Sequence, residues 1–245
     1  MILETPVQAK EVEENLKSTP IREEYAEYEE TFIILHPFLK VKDGHNIRFD
    51  TWKRPTKNDI FLGTMPVNWS EIVAQANLKD IKELDGLLAY LHCARWEADR
   101  DAWLKLMRYI ESTKLIVAQV DEYPPVLINP TLELFKSMGY AHVLLYSDIS
   151  DVKNSYFISD LIERGNSLPE SCARVLTPDH KILLTTDSDA RFSYLSSDRA
   201  TLKYIIDKLD LEGFYCNATT RHGWSYQVQT ENVIDWSSPE RMNFK

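Results

Sequence analysis

The apolar runs in this chain, such as Phe32-Ile33-Ile34-Leu35 and Val143-Leu144-Leu145-Tyr146, are no longer than a strand. That length suits buried strands and falls far short of the 18 or so apolar residues needed to span a bilayer. No integral membrane segment is expected. The N-terminus soon carries Glu11, Glu13 and Glu14, where a signal peptide needs a basic start and an apolar run, so the cytoplasm is the expected location. With 245 residues, 44% of them hydrophobic, the chain can bury a core of its own.

Charge is unevenly distributed. The total is −10, and residues 1–30 hold nine glutamates against Lys10, Lys17 and Arg22. A field of this sign repels phosphate backbones at long range and attracts cationic proteins. The expectation is a basic protein partner and no nucleic acid. Residues 8–30 lack Gly and contain Pro20, which suggests a broken helix or an acidic arm over 1–30 with few anchors. Residues 31–245 are expected to form a single compact domain, because no flexible linker divides them.

Within that domain, Thr31–Val41 reads as a buried strand ended by Pro37, and 42–67 as an ordered, irregular connection. Asn68 and Glu71 have capping-box spacing before a short helix, and apolar residues at helical spacing imply one bent helix or two over 79–112. Asn129-Pro130 should open a helix that Gly139 ends, followed by a strand from Ala141 to Tyr146 and a helix from about Ser155 to Arg164. Ala173–Thr177, Lys181–Thr186 and Arg191–Ser196 read as a β-meander, with a helix capped by Asp198 and a strand from Leu211 to Cys216. The expected class is α+β: a helical N-terminal half packed with an antiparallel or mixed sheet, closed by a β-meander–α–β unit.

Signatures of common chemistries are missing. There is no Gly-rich phosphate loop, His-Glu-x-x-His or EF-hand pattern, and only seven glycines with which to build a backbone cradle. Cys93, Cys172 and Cys216 form no Cys-x-x-Cys pair, so neither a zinc site nor a disulfide framework is indicated. No cofactor is expected. Ser167 begins like a nucleophile elbow, but Pro169 stands where the last Gly belongs, and a loop explains it better.

The candidate site residues are His36, His180, Asp187, Asp189 and His222. His36, between Leu35 and Pro37, is placed for a partly buried imidazole, whose titration near neutrality suits acid–base work; a core histidine bonded to backbone explains it better. Asp187 and Asp189 offer two carboxylates to a hard cation, though a hairpin turn needs the same residues. Cys216 and His222 would make a thiol–imidazole pair if the chain folded back.

The segments Phe32 to Lys40, Lys181 to Thr186, and Leu211-Glu212-Gly213-Phe214-Tyr215-Cys216 through Trp224 resemble a family of Bacillus and related Firmicute proteins typified by YwbB, a domain of unknown function, over about 31–225. The resemblance implies a bacterial cytosolic origin and carries no activity onto any residue. Two functions remain open. One is a non-enzymatic, immunity- or antagonist-like protein that binds a basic partner. The other is a hydrolase or transferase with a His/Asp site near the C-terminal sheet.

Overall fold

The structure is a computed structural model that describes residues 19–47, 55–93, 100–117, 122–147, 150–169, 173–186, 190–218 and 220. Among these residues the chain runs α1 (Ile21–Glu24), β1 (Glu30–Leu35), β2 (Phe38–Val41), α2 (Lys57–Gly63), β3 (Thr64–Val67) and α3 (Trp69–Gln75). It continues through α4 (Ile81–Cys93), α5 (Arg100–Thr113), β4 (Leu115–Ile116), α6 (Pro125–Ser137), β5 (His142–Ser147), β6 (Ser150–Phe157) and α7 (Ile158–Glu163). Last come β7 (Ala173–Leu176), β8 (Leu183–Thr186), β9 (Phe192–Ser197), α8 (Arg199–Leu209) and β10 (Gly213–Tyr215). No helix of the described residues is long and apolar enough to cross a membrane.

Seven strands form one sheet in the order β10-β1-β9-β8-β7-β5-β6, and β3-β2-β4 form another. All of these pairings are antiparallel, so the class is α+β, as the residue pattern implies. All six residues of β1 are buried, which requires cover on both faces of the sheet. On one face Ile33, Leu35, Phe192 and Tyr194 pack with Ile21, Trp69, Leu84 and Leu106 from α1, α3, α4 and α5. On the other, Phe32, Ile34, Leu184 and Leu195 pack with Phe135, Leu161 and Leu202 from α6, α7 and α8. The result is three layers, and the strand period of two sorts alternate side chains between the two cores.

The meander β7–β8–β9, α8 and β10 follow the sequence reading, but β10 does not close on β9. It pairs with β1, and a Cβ at Gly213 would lie 1.8 Å from the Ile33 carbonyl oxygen, so only glycine allows this approach.

Several segments differ from the expectation. Residues 57–67 of the supposed irregular connection form α2 and β3, because Thr56 and Asp59 make a reciprocal capping box. The helix expected to open at Pro130 begins at Pro125 and carries Pro130 inside it. The first three residues of the helix expected from Ser155 belong to β6, where Tyr156 and Asn154 pair with Val143 and Leu145. The expected arm is anchored at its end: Ile21 and Tyr25 are buried, and the Ile21 amide donates to Thr220 O at 3.0 Å.

Candidate functional site

His36 follows the last residue of β1, and Pro37, which has no N–H, ends that strand. Its backbone is fully engaged: the amide donates to Arg191 O at 2.9 Å, and the Trp69 indole N–H donates to its carbonyl at 2.7 Å. The imidazole Nε2 lies 2.7 Å from Ser193 Oγ of β9, and that hydroxyl lies 2.6 Å from Thr186 Oγ1 at the end of β8. Thr186 and Ser193 face one another in the strand register. Imidazole, hydroxyl and hydroxyl thus form one continuous chain across three strands.

The 2.7 Å separation is within reach for a general base taking a proton from a nucleophilic hydroxyl. Its surroundings are those of a core. His36, Ser193 and Thr186 are at most 1% exposed. Buried polar groups must be paired, and each of these three satisfies another.

Three ties from distant parts of the chain lock this end of the sheet. Arg191 Nη2 donates to Asp85 Oδ1 of α4 at 3.1 Å, with both side chains buried. Glu212 accepts from the backbone amides of Trp69 and Ser70, the second at 2.9 Å, at the first turn of α3. Asn68, the cap residue expected from sequence, makes no side-chain cap bond, and Glu212 takes that role. The His36–Ser193 bond is the third.

The remaining candidates are not gathered here. His180 sits in the turn between β7 and β8 at a positive φ of 60°, exposed, at the end of β8 opposite Thr186. The same turn is built by Asp179, which accepts from the Thr177 hydroxyl at 2.8 Å and the Lys181 amide at 3.2 Å. Burial alone would raise the Asp179 carboxyl, but these bonds and one from Tyr140 outweigh it and hold it below the usual aspartate range. Asp187, Asp189 and His222 lie outside the described residues. Cys216 is buried, and burial pushes its thiol up to about 12, the reverse of nucleophile activation. Among the described residues no group of three or more His, Cys, Asp or Glu is placed to hold a metal.

Two further features stand out, the first of them without a sequence signal. The first is a polar row on the α1–α5 face, where Tyr146, Arg174, Thr185 and Tyr194 are consecutive cross-strand neighbours on β5, β7, β8 and β9. The second is the acidic segment made of α1 and the turn after it, where Glu23, Glu24, Glu27 and Glu29 are exposed while Ile21 and Tyr25 hold the segment in the core. Burial raises the Glu24 carboxyl, partly opposed by Arg174. Serines, threonines and tyrosines at alternating strand positions look alike in sequence whether they pack or bind.

Residues 17–226 match the family model described as Protein of unknown function (DUF2711), and the chain belongs to that family. No curated protein and no solved structure matches it.

Proposed function

We propose that this member of a family of unknown function works by binding, as an immunity- or antagonist-like protein whose partner is basic. The observation that carries the reading is the set of four exposed glutamates at 23, 24, 27 and 29 on a segment fixed by buried Ile21 and Tyr25. Charges held on ordered backbone lose less entropy when a partner docks, and a like-signed set speeds encounter with a cationic surface. The net charge of −10 acts in the same direction. The proposal includes a cytoplasmic location and kinship with the YwbB-like Firmicute proteins, on the segments within 31–225 that resemble them.

The test is retention of proteins from native lysate by the immobilised chain. We expect a basic polypeptide, identified by mass spectrometry, that is released by raising salt and is not held by the Glu23→Gln/Glu24→Gln/Glu27→Gln/Glu29→Gln variant. Equal retention by that variant, or no basic protein at any ionic strength, removes the proposal.

A second reading, a hydrolase or transferase near the C-terminal sheet, is favoured by the 2.7 Å contact between His36 Nε2 and Ser193 Oγ. It is tested by a fluorophosphonate probe, which would label Ser193 if that hydroxyl is a nucleophile. Complete absence of label, together with unchanged activities in Asp187→Asn and His222→Ala, rejects it.

A further inference from the structure

The row Tyr146–Arg174–Thr185–Tyr194 crosses four adjacent strands, and direct neighbours in such a row lie about 5 Å apart. Thr185 is fully buried, and its Oγ1 has no hydrogen-bond partner among the described residues. A sealed hydroxyl without a partner is costly, and native proteins rarely keep one unless something else engages it. Arg174 is its register partner on β7, and the Arg174 guanidinium lies over the ring of Tyr146 on the next strand, 5.8 Å from the centroid. Tyr194 stacks against Tyr25 with ring centroids 5.5 Å apart, forming an aromatic wall on the other side of Thr185. Arg174, Tyr146 and Tyr28 are only partly buried, so the row opens to solvent at that end. Burial, with Glu27 and Tyr146 adding to it, pushes the Tyr28 phenol up to about 12, so it stays protonated and able to donate.

From this geometry we infer that the α1–α5 face of the sheet carries a binding site for a small molecule bearing a carboxylate or phosphate on an aromatic or apolar body. The oxyanion is held between the Arg174 guanidinium and the Thr185 hydroxyl, and the body lies along the Tyr146 ring. A guanidinium has five N–H donors in a planar fork, so Arg174 can serve a ligand while keeping the bonds it already makes. The negative charge of the whole chain does not exclude an anion. Exposed charges farther than about 8 Å are screened at physiological ionic strength, whereas a partly buried guanidinium acts at contact. This site borders the exposed glutamates, since Glu24 feels the charge of Arg174, but it does not rest on the partner reading.

The experiment is calorimetric titration of the full chain with benzoate and with phenyl phosphate, using benzyl alcohol as the neutral counterpart. We expect saturation at one site by at least one anion, and the anion that saturates identifies the oxyanion. Benzyl alcohol should bind at least about tenfold more weakly. Thr185→Val should weaken the anion about tenfold while leaving the far-UV spectrum and unfolding midpoint unchanged, and Arg174→Met should abolish binding. Thr185→Val loses no hydrogen bond among the described residues, so it decides the matter even if Arg174→Met fails to fold. Lack of saturation by both anions up to about 10 mM, equal binding of benzyl alcohol, or undiminished binding by Thr185→Val overturns the site.

Discussion

Thr185 and Thr186 are neighbours in β8, and strand alternation sends their side chains to opposite faces of the sheet, where their circumstances differ. The Thr186 hydroxyl joins Ser193 and His36 in a chain of 2.6 Å and 2.7 Å contacts that is fully buried and satisfied within itself. The Thr185 hydroxyl lies equally deep and has no partner among the described residues, between partly buried Arg174 and buried Tyr194. The first row shows how a buried imidazole–serine pair can be a structural seam. Polar identity alone does not mark a site; what distinguishes the second row is a hydroxyl left over and a partly buried arginine across from it.

The strongest way to break the comparison is at the lock beside the first row. Removing one member of the buried Arg191–Asp85 pair strands the other charge in the core, so Asp85→Ala or Arg191→Met should each cost about 3–5 kcal/mol. The double replacement Asp85→Leu/Arg191→Met should recover most of that loss. Urea midpoints at constant slope measure all three. Equal instability of the single and double variants would show that the pair contributes through packing and not through charge.

Next in size is the contrast between the rows themselves. Ser193→Ala removes the hydroxyl that His36 Nε2 and Thr186 Oγ1 share, at about 1–3 kcal/mol. Thr185→Val breaks no hydrogen bond among the described residues and should fall within about 0.5 kcal/mol of the parent, or be slightly more stable. Comparable losses in the two variants would erase the distinction.

What was readable in the residues follows the range of the forces involved. The meander β7–β8–β9 and helix α8 were legible because turns and caps such as Thr177-Pro178-Asp179 and Asp198 act over a few positions. The place of β10 beside β1 was not, since it depends on Gly213 meeting a strand 180 positions earlier, Ile33. Asn68 looked like a cap, yet Glu212 supplies the acceptor across 143 positions. Helical spacing of Ile158, Leu161 and Ile162 pulled the expected helix back over residues that pair as β6. His36 drew notice because it lies between an apolar strand and Pro37, but nothing local selects Ser193 from the other serines of its strand as its partner.

A smaller effect separates the second half of the sheet from either row. Asp198 accepts from the Thr201 hydroxyl at 2.6 Å and the Thr201 amide at 2.9 Å, capping α8. The Thr201 hydroxyl first, and then the backbone amides, hold its carboxyl below the usual 3.8. A folded value below the unfolded one means that the stabilisation is complete above pH 3.8 and disappears as pH falls through the lowered value. Asp198→Ala should therefore cost about 1 kcal/mol at neutral pH, with a gap to the parent that narrows only in strong acid. A gap independent of pH would mean that the ionised cap is not its source.

Cys216 gives the smallest signal and sharpens the comparison from a third position, at the far edge of the same sheet. Its thiol is buried, and burial, the leading cause, raises it from 9.0 to about 12, while Arg22 opposes and Glu30 assists. At pH 8 the native chain should hold almost no thiolate there, because each pH unit below the pKa reduces the ionised fraction about tenfold. Iodoacetamide, followed peptide by peptide in the mass spectrometer, should leave Cys216 unmodified in the folded chain and label it in urea. Rapid labelling of the folded chain would instead require a thiolate stabilised nearby, as in a pair with His222. In that case a third polar arrangement would join the two rows as a rival for the chemistry of this sheet.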